Sequence, residues 1–106
     1  MNTKTMEQMV TKEQKFRALA ETWKREAVFL SSAGKKAMHP AYQRIIGMGE
    51  VALPLILEEL KKDPTDWFWA LSAITGESPI PESSAGNIEE MTEAWLRWGH
   101  KQGYLK

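Results

Sequence analysis

His39 and His100 are the only imidazoles in a chain of 106 residues, and the chain has no cysteine. A metal site or a proton-transfer site would have to draw on these two rings and the fourteen carboxylates. Helical metal sites place histidines as HxxxH or HExxH, since that spacing aims both rings from one helix face. His39 and His100 are far apart in sequence and follow no such pattern, so they could share an ion only by meeting in space beside a carboxylate. His39 directly precedes Pro40, which reads as a helix start instead. The lack of cysteine removes disulfides, thiolate ligands and a cysteine nucleophile.

Other reactive types are present without the spacing that chemistry needs. Ser31-Ser32 and Ser83-Ser84 lie in stretches that favour loops and caps, with no Gly-x-Ser-x-Gly elbow. The carboxylate pairs Glu58-Glu59 and Glu89-Glu90 are sequence neighbours, which point about 100° apart on a helix and share a site poorly. Gly47-Met48-Gly49 is too short for a phosphate loop and lacks the Gly-Lys-Ser/Thr ending. No catalytic, cofactor-binding or metal-ligating residue is expected, and the chain reads as a non-enzyme.

Two groups of residues remain that could bind a macromolecule. Lys35, Lys36, His39 and Arg44 form a basic patch with Tyr42 inside it, and no acid lies between Glu26 and Glu50. A nucleic acid would need such cations against its phosphates and an aromatic ring against a base. The second group is the tryptophans, of which there are five. Trp67-Phe68-Trp69 cannot put all three rings on one helix face, whereas Trp95 and Trp98 can lie side by side. Most of these rings belong in a core, and Trp69 or Trp98 is a candidate for an exposed anchor on a partner protein.

The overall balance of fourteen basic and fourteen acidic residues argues against a general nucleic-acid coat or a polybasic membrane binder. The neutrality is uneven along the chain. Residues 1–46 hold nine Lys/Arg against four Asp/Glu, a net +5, while residues 47–106 hold five against ten, a net −5. From Asp63 to Trp95 there are seven acids and no base. The halves can attract each other within one fold, or present two faces of opposite potential to a partner or a second copy.

The elements that must position these residues are helices. Phe16, Leu19, Ala20, Trp23, Ala27 and Leu30 recur at steps of three and four, which predicts a helix over residues 11–30 opened by Thr11 and Gln14 as a capping box. Residues 1–10 before it are expected to be flexible, and residues 11–106 to form one helical domain. Ser31 to Gly34 should end the first helix and open a basic loop through Lys35 and Lys36. A short helix follows from Pro40 to Ile46. A third runs from Glu50 to Lys62 on Leu53, Ile56, Leu57 and Leu60. Asp63 and Pro64 read as N-cap and first residue of a fourth, Trp67 to Thr75, which Gly76 ends. Residues 78–86 read as an irregular loop. Asn87 and Glu90 read as N-cap and its partner three residues on, opening a last helix with Ile88, Met91, Trp95 and Trp98 on one stripe. Tyr104 and Leu105 should fold back on the core. No segment alternates with period two, so the fold class is all-α, a compact bundle of about five helices. No apolar run approaches the ~20 residues of a membrane span, and residues 1–10 are too polar for a secretory signal, which suggests a cytoplasmic protein.

Residues 45–76 resemble a HEAT-type repeat. Its pattern is Gly49, Ala52-Leu53-Pro54, a Leu-rich helix, an acidic turn at Asp63, Ala70-Leu71 and a closing Gly76. One such unit is present where solenoids need about three, so the resemblance implies a helical hairpin embedded in a small bundle. The stretches HPAYQRIIGMG, WFWALSAITGE and AWLRWG are similar to an uncharacterised family of small bacterial all-helical proteins, over about residues 16–104. That resemblance implies no catalytic residue. Through the mobile or defence-like gene clusters associated with the family, it favours an antitoxin or immunity role. The expected function is therefore a non-enzymatic protein-protein interaction module without a cofactor, whose partner is another protein or a further copy of the chain. The alternative is a small nucleic-acid-binding regulator acting through residues Lys35 to Arg44.

Overall fold

The computed structural model describes residues 11–64 and 66–106, and the element that contains Thr11 is bounded Asn2–Ala27. The expectation of a flexible segment over residues 1–10 lies outside the described residues. Among those described, the chain forms α-helices and 3-10 turns, with no strand. The order is α1 (Asn2–Ala27), α2 (Ala33–Ala37), α3 (Pro40–Gly47), a 3-10 turn (Gly49–Ala52), α4 (Leu53–Lys62), α5 (Phe68–Thr75), a second 3-10 turn (Glu82–Ser84) and α6 (Ile88–Gln102). The all-α reading holds, and the helix beyond the expected five is the short α2.

The apolar stripe of α1 faces inward as its spacing requires. Phe16, Ala20, Trp23 and Ala27 are buried, at steps of four, three and four. They lie along α3, whose buried face is Ala41, Tyr42 and Ile45. Trp67 closes this space from the segment before α5. Its ring centroid is 4.8 Å from that of Trp23 and 5.9 Å from those of Phe16 and Tyr42. At ~25 cal/mol per Å², a ring that buries about 150–250 Å² contributes up to roughly 4–6 kcal/mol, so this four-ring cluster is the main adhesive of the first half.

The second half rests on α4 against α6. Leu53, Ile56, Leu57 and Leu60 are almost wholly buried, and Trp95 fills the space facing them. Gly99 allows the close approach, since a Cβ there would stand 2.8 Å from Cδ1 of Leu57 and 3.1 Å from Cδ1 of Leu105. Gly103 adopts φ +85°, a left-handed conformation that costs other residues steric strain, and so turns the chain back at the end of α6. The amides of Tyr104 and Leu105 then donate to the Gly99 carbonyl at 2.8 and 3.2 Å. Tyr104 stacks on Trp98 with centroids 5.6 Å apart, and Leu105 is buried, as the sequence predicts for this tail.

Several expected boundaries move, each for a local reason. Thr11 lies inside α1, because neither Gly nor Pro precedes it to stop the helix. α1 ends at Ala27, and Val28 and Phe29 stand exposed, so the regular stripe stops before Leu30. The expected basic loop is α2. Ser32 caps it by accepting from the Lys35 amide at 3.2 Å, and Trp23 Nε1 donates to the Lys36 carbonyl at 2.8 Å. Glu50 belongs to a 3-10 turn rather than to α4, whose regular helix begins at Leu53 just ahead of Pro54. Asp63 ends α4 instead of opening the next helix, and α5 starts at Phe68 with no side-chain cap of its own. The loop 78–86 contains the second 3-10 turn.

The remaining helix signals are realised. His39 caps α3 by accepting the Ala41 amide on Nδ1 at 3.0 Å, with Pro40 as first residue. Asn87 accepts the Glu90 amide at 3.0 Å and donates through Nδ2 to the Glu90 carboxylate at 2.8 Å. Gly76 ends α5. No helix among the described residues is long and apolar enough to cross a membrane.

Candidate interaction surface

α5 is too apolar to have a single inner face, and its sequence Phe-Trp-Ala-Leu-Ser-Ala-Ile-Thr forces some large side chain outward. Trp67 precedes it and is fully buried. Two residues on, about 200° around a helix, Trp69 is 51 % exposed. Phe68 between them is half-buried. Trp67, just ahead of α5, and Trp69, within it, thus face opposite ways, one into the core and one toward solvent.

Trp69 stands between two open apolar grooves and lines both. One, of about 670 Å³, has walls from Phe68, Ser72 and Ala73 of α5, with Ala33, Asp66, Ile80 and Met91 around it. The other, of about 550 Å³, lies between Trp69 and Leu30, Gly34, Lys35, Met38, His39 and Pro40. Met38 is 65 % exposed at its rim. Ile88, 52 % exposed, lies three residues before Met91 and therefore on the same side of α6. Val28 and Phe29 are exposed just before Leu30. Two of the large exposed apolar side chains, Met38 and Trp69, thus line these grooves, and Phe29 adjoins Leu30 on one wall.

The basic patch is not assembled as its sequence suggests. Tyr42 is a core residue, fully buried, with its hydroxyl donating to the Asp66 carbonyl at 2.7 Å and accepting from the Ala70 amide at 2.9 Å. Burial pushes its phenol well above the ordinary tyrosine range. Ile45 follows it by three residues on α3, and helical spacing puts its ring inward with Ala41 and Ile45. The Lys36 ammonium lies 3.3 Å from the Asp66 carboxylate, and His39 Nε2 lies 2.7 Å from Glu26 Oε1. Since His39 Nδ1 accepts the Ala41 amide, the tautomer that satisfies both contacts carries its proton on Nε2 and donates to Glu26. Lys35 and Arg44 are exposed, and neither has an ion-pair partner among the described residues.

Trp98 is also corrected. Its ring lies edge-on to Trp95, with centroids 5.2 Å apart, and stacks on Tyr104, which leaves it 9 % exposed. The returning tail covers the ring, so helix periodicity alone could not reveal its burial. His100 is exposed on α6 and His39 is engaged at the start of α3. Among the described residues no three of His, Asp and Glu gather as metal ligands.

Sequence reasoning singled out Trp69 but missed Met38, Ile80, Met91 and Ile88 as parts of its surroundings. Two signals were available. Ile80 is a lone large aliphatic residue between Pro79 and Pro81, and Met38 lies outside both flanking helices. Apolar residues at such positions need a neighbour that local periodicity does not supply. Comparison with known proteins finds no matching family model, curated protein or solved structure.

Proposed function

We propose that the chain is a non-enzymatic protein-protein interaction module whose binding surface is the pair of grooves around Trp69. The observation that carries this reading is the half-exposed Trp69 ring, flanked on both sides by apolar walls. Tryptophan is over-represented among residues that dominate binding energy, and an apolar groove supplies the desolvated setting in which it acts. The ring projects from a short helix whose other side is anchored by Trp67 and Leu71, so little ordering is needed before binding.

The HEAT-like stretch would be the scaffold that presents this ring. Within this reading, an antitoxin or immunity protein that covers its target is the narrower form suggested by the resemblance of the sequence. A nucleic-acid regulator built on Lys35 to Arg44 has less support. It would have to work without Tyr42, which is inside the fold, and with Lys36 and His39 engaged by carboxylates.

The test is affinity capture from the native host with the wild type and with Trp69→Ala, both checked for helicity. The expected result is a protein retained by the wild type and lost from the variant. A captured set that is the same for both chains would overturn the reading.

A further inference from the structure

Both ring nitrogens of His39 are engaged, and the two contacts ask different things of the ring. Nδ1 accepts the Ala41 amide at 3.0 Å, which requires a lone pair on that nitrogen. Nε2 lies 2.7 Å from Glu26 Oε1, a contact that a proton on Nε2 satisfies in either charge state. A neutral ring with its proton on Nε2 meets both. An imidazolium carries a proton on Nδ1 as well, so it faces the Ala41 N–H donor to donor, while its contact with Glu26 becomes an ion pair. We propose that His39 is a proton-operated latch: neutral, it ties the end of α1 to the start of α3, and protonated, it keeps Glu26 and releases Ala41. The latch stands on this geometry, and only its consequence for binding rests on the reading of the Trp69 grooves as an interaction surface.

The surroundings make the exchange consequential. The His39 side chain is 13 % exposed, which leaves the ring little room to turn away. Ala41 is buried, so water is poorly placed to replace the lost acceptor. The His39 backbone is held from both sides, its amide donating to the Lys36 carbonyl at 3.3 Å and its carbonyl accepting the Gln43 amide at 3.0 Å. The adjustment therefore falls on the first turn of α3. Glu26, from α1, is the acid in contact with the ring. From α2 come Lys35, which lines the same groove as His39, and Lys36, whose ammonium is turned to Asp66. α5 brings the uncharged Trp69, and α3 carries Arg44, exposed five residues on. The positive end of α3 and Lys35 oppose an imidazolium here, and Glu26 favours it. His39 and Pro40 are also wall residues of the groove beside Trp69. Protonation adds a second cation to a wall that already holds Lys35. A partner covering that wall would have to strip water from the new charge, so it should prefer the neutral ring and loosen in acid.

The experiment is nuclear magnetic resonance of the full chain, labelled with nitrogen-15, between about pH 5 and 8, where imidazole titrates. At the upper end the proton should be on Nε2, with a coupling through the hydrogen bond between the Ala41 nitrogen and His39 Nδ1. On acidification that coupling should vanish in step with the ring's titration, while signals from α4 and α6 stay in place. His39→Asn keeps a neutral cap, so its Ala41 amide should no longer follow pH. In Glu26→Gln the ring should need about threefold more acid to take its proton, because the ion pair no longer favours the charged form. A neutral ring with its proton on Nδ1, a coupling that survives protonation, an Ala41 amide that follows pH equally in His39→Asn, or a Glu26→Gln ring that titrates with the wild type would each overturn the latch. These measurements read the free chain, so their failure is distinct from a failure of Trp69→Ala to change the captured set, which overturns the interaction surface alone. A captured protein held equally at both ends of the pH range would overturn the groove's dependence on the latch.

Discussion

The hydroxyl of Tyr42 stands 2.9 Å from the amide nitrogen of Ala70, so a side chain from α3 caps the beginning of α5. The same oxygen donates to the Asp66 carbonyl just upstream. Helix starts leave several amides without partners, and α5 has no side-chain cap from its own segment. Tyr42 therefore couples the aromatic core to the helix that presents Trp69.

Replacing Tyr42 with Phe keeps the ring and removes that cap. The buried Ala70 amide loses its acceptor, which should cost about 1–3 kcal/mol while leaving the chain folded. Urea denaturation monitored by tryptophan fluorescence measures this, and hydrogen exchange at Ala70 should accelerate. Unchanged stability would mean that the hydroxyl contributes nothing net.

The same residue sets an alkaline limit. Burial raises the Tyr42 phenol above the unfolded value of ~10, so the folded state holds its proton more tightly than the unfolded state does. Its stabilising contribution is complete below pH ~10 and is lost as pH rises from there toward the folded value. The hydrogen bond to Glu50 raises the exposed Tyr104 phenol in the same direction. Denaturation curves between pH 8 and 11.5, roughly the window that brackets tyrosine ionisation, should show stability falling at the alkaline end. The fall should be shallower in Tyr42→Phe. Equal slopes for the two proteins would assign the loss to other groups.

Neighbouring tryptophans should respond in opposite ways to truncation. Trp67→Ala removes a ring that touches Phe16, Trp23 and Tyr42, and should cost about 3–5 kcal/mol. Trp69→Ala should cost roughly 0.5–1 kcal/mol, since its ring is half in solvent. Thermal melts of both variants make the comparison, and similar losses would show that Trp69 supports the fold rather than the surface.

Gly99 predicts a steric limit between α6 and α4. Gly99→Val places branched carbons where even a Cβ would stand 2.8 Å from Leu57, and should destabilise by about 1–3 kcal/mol. In Leu57→Ala with Gly99→Val, where the opposing branch is gone, the two losses should be less than additive. Strict additivity in denaturant titrations would deny the contact.

Phosphate binding should be weak. Of the predicted patch, only Lys35 and Arg44 are exposed without an ion-pair partner among the described residues, and two such contacts give a log-log salt slope of about −1.8 on duplex DNA. Fluorescence anisotropy over a salt series tests this, and a much steeper slope would revive the nucleic-acid reading.

How far the sequence could be read depended on the range of the interaction that decided each feature. The stripe of Phe16, Ala20, Trp23 and Ala27 repeats every turn, so α1's inner face was legible from spacing. His39 with Pro40, and Asn87 with Glu90, fold against amides within three residues, so those helix starts were legible too. The start of α5 was not, because its cap arrives from Tyr42, far away in the chain. Asp63 offered a local cap, and the tertiary one prevailed.

The candidate surface divides along the same line. That Trp67 and Trp69 face apart follows from about 100° per residue, and the opposite charges of the two halves can be counted directly. Which tryptophan meets solvent was decided by the core, where Phe16, Trp23 and Tyr42 enclose Trp67. Trp98 lost its exposure to a tail that Gly103 turns back. The grooves join α2, α5, the loop at Ile80 and α6, elements with no common period, and only their docking on the aromatic core brings them to one face.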